Sequence, residues 1–196
     1  MLKRLSLTAA MLAAAAAPAF AHLDPLAHGS FAAGLSHPIF GADHVLVMVS
    51  VGLWAAQIAA NPERRAALWA VPAAFVSTMA FGFLLAVLGV HLPFVEPAIL
   101  ASVIGLGLLV AMAARLPVAG CAAVVAIFAL FHGHAHGAEL GEAGALQFGL
   151  GFVLSTALLH VAGIGLGIVA QRATPVAARV VGALTALAGL SLVFGG

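Results

Sequence analysis

From about residue 41 onward the chain is a succession of long apolar runs separated by short breaks of Pro, Asn, Gly and charge. The runs cover residues 41–60, 66–90, 97–114, 117–132, 145–171 and 175–194. A helix rises about 1.5 Å per residue, so about 20 apolar residues cross the roughly 30 Å hydrocarbon core of a bilayer. The pattern predicts an all-α integral membrane protein with six transmembrane helices. No internal repeat and no second domain emerges, so residues 22–196 read as a single membrane domain.

The first 21 residues follow a different rule. Lys3 and Arg4 make a basic start, residues 5–17 are a short apolar segment, and Ala19-Phe20-Ala21 is a small-x-small site. That order predicts a cleavable secretory signal peptide over residues 1–21. Cleavage after Ala21 makes His22 the mature N-terminus, where amine and imidazole together can chelate a metal.

Composition sharpens the membrane reading. Hydrophobic residues make up 64% of the chain and charged residues 7%, more apolar surface than a soluble domain of this size needs. The net charge of +1 and the absence of a basic patch argue against a nucleic-acid partner. No Walker loop or dinucleotide fingerprint occurs, so the chain carries no ATP-binding motif. Cys121 is the single cysteine, which rules out an intramolecular disulfide.

Charge also orients the chain. Past the signal, the basic residues are Arg64, Arg65, Arg115, Arg172 and Arg179, all in or just beyond the first, third and fifth breaks. Positive residues favour the cytoplasmic side, so these breaks face inward. Both termini of the mature chain are then expected outside, as a signal peptide also requires. His22, His28, His37, His44, His91, His132, His134 and His136 fall at or near the outer face, while His160 lies deep in a span. Asp24, Asp43, Glu96, Glu139 and Glu142 fall outside and Glu63 inside.

Two stretches concentrate the ligand chemistry. The first, HPIFGADHVLVM, runs from His37 to Met48. Pro38 and Gly41 predict a broken turn at the membrane entrance, with a helix running on from Gly41. His44 and Met48 then share a face, Gly52 continues it, and Asp43 lies about 100° around the axis. The second, FHGHAHGAE, runs from Phe131 to Glu139. As a helix it places His132, His136 and Glu139 on one face and turns His134 elsewhere, towards water. Gly133 and Gly137 argue against a regular helix there, but permit close approach of a neighbour.

Depth links the two stretches. About 16 residues separate His44 from the break at 61–65, and about 16 separate Arg115 from His132, so both histidines stand about 24 Å above the inner boundary. Ionisable groups in the outer leaflet are costly unless paired, metal-bound or hydrated. The set His37, Asp43, His44, His132, His136 and Glu139 is therefore a candidate metal site, with His22, Met48, His134 and His160 as further candidates. Each of the latter has a blander reading: Met48 as packing, His134 as a solvated side chain, His160 as a core residue beside Ser155 and Thr156. His91 reads as a hydrogen-bonded core histidine and Glu142 as a solvated charge. Imidazoles with one or two carboxylates and no thiolate suit Ni²⁺, Co²⁺, Zn²⁺ or Cu²⁺.

The same residues carry a resemblance. His-x5-Asp-His at His37, Asp43 and His44, and Phe-His-Gly-x-Ala-His-Gly-x-Glu from Phe131 to Glu139, resemble the two hallmark motifs of the HupE/UreJ family. These are small membrane permeases associated with nickel supply to hydrogenases and ureases. Gly41 and Val51-Gly52-Leu53-Trp54 also look like that family's first helix. The resemblance implies nickel uptake across the cytoplasmic membrane, with the His, Asp and Glu of both motifs required. Ion-driven, potential-driven and facilitated movement all fit. A membrane-embedded zinc hydrolase, with Ser36, Ser155 or Glu139 in catalysis, is the rival from another class. A non-transporting metal sensor or donor is a third reading.

Overall fold

The computed structural model describes residues 30–140 and 144–194. The expected signal peptide and its cleavage, His22, Asp24, His28 and Glu142 lie outside the described residues. The elements are α1 (Ser30–Phe40), α2 (Ala42–Ala59), a 3-10 turn (Pro62–Arg64), α3 (Ala67–Val87), α4 (Val95–Ala111), α5 (Val118–Ala138), α6 (Ala145–Ala173) and α7 (Pro175–Phe194). Among the described residues there is no strand.

Five segments are long and apolar enough to cross a membrane: Ala42–Ala59, Pro62–Val87, Val118–Ala138, Ala145–Ala173 and Val176–Phe194. The third apolar run forms a shorter helix, Val95–Ala111, of 17 residues. Helices are the solution because apolar surroundings leave backbone N–H and C=O groups no partners outside the chain. Large side chains such as Trp69, Phe81, Leu146 and Val169 point outward, while Trp54, Phe75 and Phe152 fill the interior.

Two places depart from the expected pattern. Pro38 does not break the chain: it is buried inside α1, and the break falls at Gly41 alone, which caps α2 in an extended conformation. Proline removes one N–H and collides with the preceding turn, but in the last turn of α1 this costs a single hydrogen bond, and Pro38 is buried by the packing around it. In addition, α5 runs unbroken through Gly133 and Gly137 to Ala138. A Cβ on Gly133 would strike the carbonyl of Met79, and one on Gly82 the carbonyl of Leu130, so α3 and α5 touch backbone to backbone. That contact outweighs the roughly 1 kcal/mol that glycine costs a helix relative to alanine. Gly52 and Gly163 do the same for α2 against α6, meeting the carbonyls of His160 and Val49.

The chain direction gathers unlike residues at the two ends of the bundle. Arg64 and Arg115 line one recess at the end where α2 finishes and α5 begins, and Arg65 and Arg172 line another. Arg179 reaches the carbonyl of Ala111 at the same end. Near the other end, α1, α2 and α5 converge with their histidines.

Candidate metal centre

His37 near the end of α1, His44 in the first turn of α2 and His136 near the end of α5 form one group. Each offers a ring nitrogen, and these atoms all lie within 4.8 Å of one another. Two nitrogens bound at the usual 2.0–2.1 Å to a single ion stand at most about 4.2 Å apart, so a small side-chain adjustment suffices for one ion. The rings pack edge to face: His37 to His136 at 4.5 Å and His37 to His44 at 5.7 Å between centroids. Nε2 of His44 faces Nε2 of His136 in hydrogen-bond contact. A proton held between them is what a cation would displace, since only a bare ring nitrogen ligates.

The surroundings set the electrostatics. Nδ1–H of His44 donates to Oδ1 of Asp43 at 2.7 Å, which leaves Nε2 as the ligating atom. Gly41 makes room for this pair: a Cβ there would lie 2.6 Å from Nδ1 of His44 and 3.1 Å from Oδ1 of Asp43. From residue spacing Gly41 reads as a helix breaker, because steric clearance around a ring leaves no trace there. Glu139 lies at the end of α5, its Oε2 4.0 Å from Nδ1 of His136, with more than half of its side chain exposed. Phe152 packs against the His136 ring at 4.6 Å and Phe148 against His37 at 5.8 Å. This apolar wall lowers the local dielectric and strengthens the pull of any carboxylate on a cation.

His132 does not join the three-nitrogen group. It is fully buried one turn earlier on α5, and its ring lies 5.4 Å from that of His44. Its Nε2 bonds Oγ of Ser102 at 2.8 Å. His134 is buried rather than solvated, because its Nε2–H donates to the carbonyl of Val90 at 2.7 Å. That carbonyl follows α3, a partner that spacing within one motif cannot reveal. His160 is buried with neither ring nitrogen bonded, and Phe75 packs its ring at 5.0 Å. Ser155 and Thr156 do not serve it: Ser155 Oγ has no partner, and Thr156 Oγ1 donates to Sδ of Met79. Met48 lies in the apolar core. His91 is exposed, which corrects its reading as a core residue, since the connection after α3 carries it outward. Ser36 donates its hydroxyl to Ala33 O at 3.1 Å.

Apolar helices long enough to cross a membrane, packed around a buried imidazole cluster, have the form of a multi-pass membrane protein with a candidate metal centre. The family model described as HupE / UreJ protein matches residues 9–192, and the chain belongs to the HupE/UreJ family. It is similar to Protein HupE of Rhizobium leguminosarum bv. viciae, with 46% identity over 187 residues, covering 94% of this chain and 95% of that relative. No solved structure matches.

Proposed function

We propose that this protein is a nickel uptake permease of the cytoplasmic membrane, supplying Ni²⁺ for maturation of a hydrogenase or urease. The observation that carries the reading is the buried His37–His44–His136 group, with Asp43 on His44. Family membership supports the choice of metal and the metalloenzyme connection. Asp43, Glu139 and His132 complete the proposed site at its borders. The arginine end of the bundle faces the cytoplasm, six helices span the bilayer after signal removal, and both mature termini lie outside. Co²⁺ and Zn²⁺ are the competing cargoes, because the same ligands suit all three.

The site can do two things a permease needs. Neutral nitrogens and a nearby carboxylate replace the water that a divalent cation sheds on leaving solution. A mixed set of ligands on three different helices also holds the ion less rigidly than a closed structural site, and transport requires release as well as capture. A zinc hydrolase would instead keep its metal through purification and carry no flux.

Radionickel uptake, in cells lacking other nickel importers and with Co²⁺ and Zn²⁺ as competitors, tests the reading. Saturable uptake that requires this chain supports it. Equal uptake with and without the chain sinks it. Orientation is tested separately by labelling a Gly141→Cys variant in a Cys121→Ala background. Labelling from outside the cell is expected, and labelling only from the cytoplasm would invert the topology.

A further inference from the structure

Ser102 belongs to α4, the short helix that contributes no histidine to the cluster. It is fully buried, and its Oγ makes two contacts: 2.6 Å to the carbonyl of Ile99 and 2.8 Å to Nε2 of His132. A hydroxyl has a single proton. Two oxygens at 2.6 Å repel unless a proton lies between them, so the hydroxyl hydrogen points at Ile99 and the bond is the familiar serine contact with its own helix. Ser102 therefore has only lone pairs left for His132, and His132 must donate. The His132 proton is on Nε2, and Nδ1 carries a bare lone pair. Nδ1 is buried and has no hydrogen-bond partner.

We propose that Ser102 is a positioning residue: it fixes the proton of His132 on Nε2 and so presents Nδ1 as the ligating atom of a second station, one helical turn beyond His136 along α5. His44 borders both places. Its ring centroid is 4.4 Å from that of His136 and 5.4 Å from that of His132. A cation leaving the His37–His44–His136 group can keep His44 as a ligand while it exchanges His136 for Nδ1 of His132. The ion is then never without an imidazole during the step, which limits the cost of moving a poorly hydrated charge through an apolar interior. Without the Ser102 acceptor, the proton can shift to Nδ1 and block the receiving atom. The inference rests on the metal-uptake reading for its transport consequence, but the placement of the proton does not.

Nitrogen NMR of the full-length protein, labelled with ¹⁵N-histidine, purified in detergent and free of metal, decides the proton. The His132 signals are identified by their loss in His132→Gln. Expected are a protonated, hydrogen-bonded Nε2 and a bare Nδ1, with Ser102→Ala giving a mixture of the two tautomers. A proton on Nδ1 in the unmodified protein overturns the proposal, as does a Ser102→Ala spectrum with an unchanged His132. In the nickel assay, Ser102→Ala should lower the maximal uptake rate by about tenfold to 100-fold, the range typical when a ligand loses its outer partner. Ser102→Thr, whose hydroxyl can make the same bonds from a helix, should restore it. An unchanged maximal rate in Ser102→Ala rules out the transfer role. If the unmodified chain carries no nickel, the uptake reading fails, while the NMR result still decides the proton.

Discussion

The two ends of the bundle handle buried polarity in opposite ways. At the arginine end, side-chain donors meet carbonyls around the last turn of α4 and the connection after it. Trp54 Nε1–H donates to Ala114 O at 2.9 Å, Gln57 Nε2–H to Val110 O at 3.1 Å, Arg64 to Leu116 O at 3.3 Å and Arg179 Nε–H to Ala111 O at 2.9 Å. These carbonyls lie where a helix runs out of its own donors, so the bonds close the structure. At the histidine end the excess has the other sign. Nδ1 of His132, His134 and His136 are buried with no hydrogen-bond partner, and such groups cost about 1–3 kcal/mol each. One end uses its polar atoms to hold the fold, and the other leaves buried ring nitrogens without hydrogen bonds. Stability and metal affinity should therefore respond to different residues.

The largest effect that would sharpen this contrast comes from ligand removal. His44→Ala or His136→Ala should weaken Ni²⁺ binding by more than about 100-fold, beyond the range seen for outer partners. Fluorescence-detected size exclusion should show unchanged monodispersity, and calorimetry in detergent should show the lost affinity. Nickel affinity near that of the unmodified protein in both variants would break the assignment. Asp43→Asn keeps the shape beside His44 and removes the charge, and should cost about tenfold to 100-fold in the same titration. An effect under twofold would mean that the carboxylate does not act through His44.

Gly41→Ala is the next step down. The added methyl pushes the His44 ring rather than the backbone, so about tenfold weaker binding with an unchanged melting temperature is expected, equivalent to about 1.4 kcal/mol. A drop in melting temperature with intact binding would reverse its meaning. Trp54→Phe belongs to the other end. Losing one N–H and leaving Ala114 O without it should lower stability by about 1–2 kcal/mol in thermal unfolding and leave nickel affinity alone. Arg179→Gln should be smallest, below about 1 kcal/mol, because its side chain is exposed and water replaces the lost donor. Nickel binding that fell with either variant would show that the two ends are not separable.

How much of this was legible in the chain depends on whether one helix or several decide the outcome. The runs at 145–171 and 175–194 emerge as Ala145–Ala173 and Pro175–Phe194, because a long apolar run has few other ways to satisfy its backbone. Helix α1 is not legible: its 11 residues are too few to span, and Pro38 reads as a breaker when its neighbours are unknown. The run ending near 132 continues to Ala138 because α3 supports Gly133 and Gly137, a tertiary contact that local propensity cannot express. Within the site, His37, Asp43 and His44 were visible as a motif. Which histidine of α5 meets His44 depends on how α5 is rotated against α2, and the grouping with His136 rather than His132 follows from that rotation. Ser102 had no signature at all, since a single serine in an apolar run is ordinary.

The shortness of α4 has a consequence for the lipid around it. Its 17 residues reach about 25 Å along the axis, less than the roughly 30 Å of hydrocarbon in a typical bilayer. Where α4 spans the bilayer as proposed, local thinning of the membrane is one way to meet this mismatch. The helix that carries Ser102 would then sit beside a dimple, and the dehydrated stretch that a cation crosses next to it would be shorter than elsewhere on the perimeter. Reconstitution into lipids of increasing acyl length should slow uptake as the dimple becomes harder to form, and a rate indifferent to chain length would remove this role from α4.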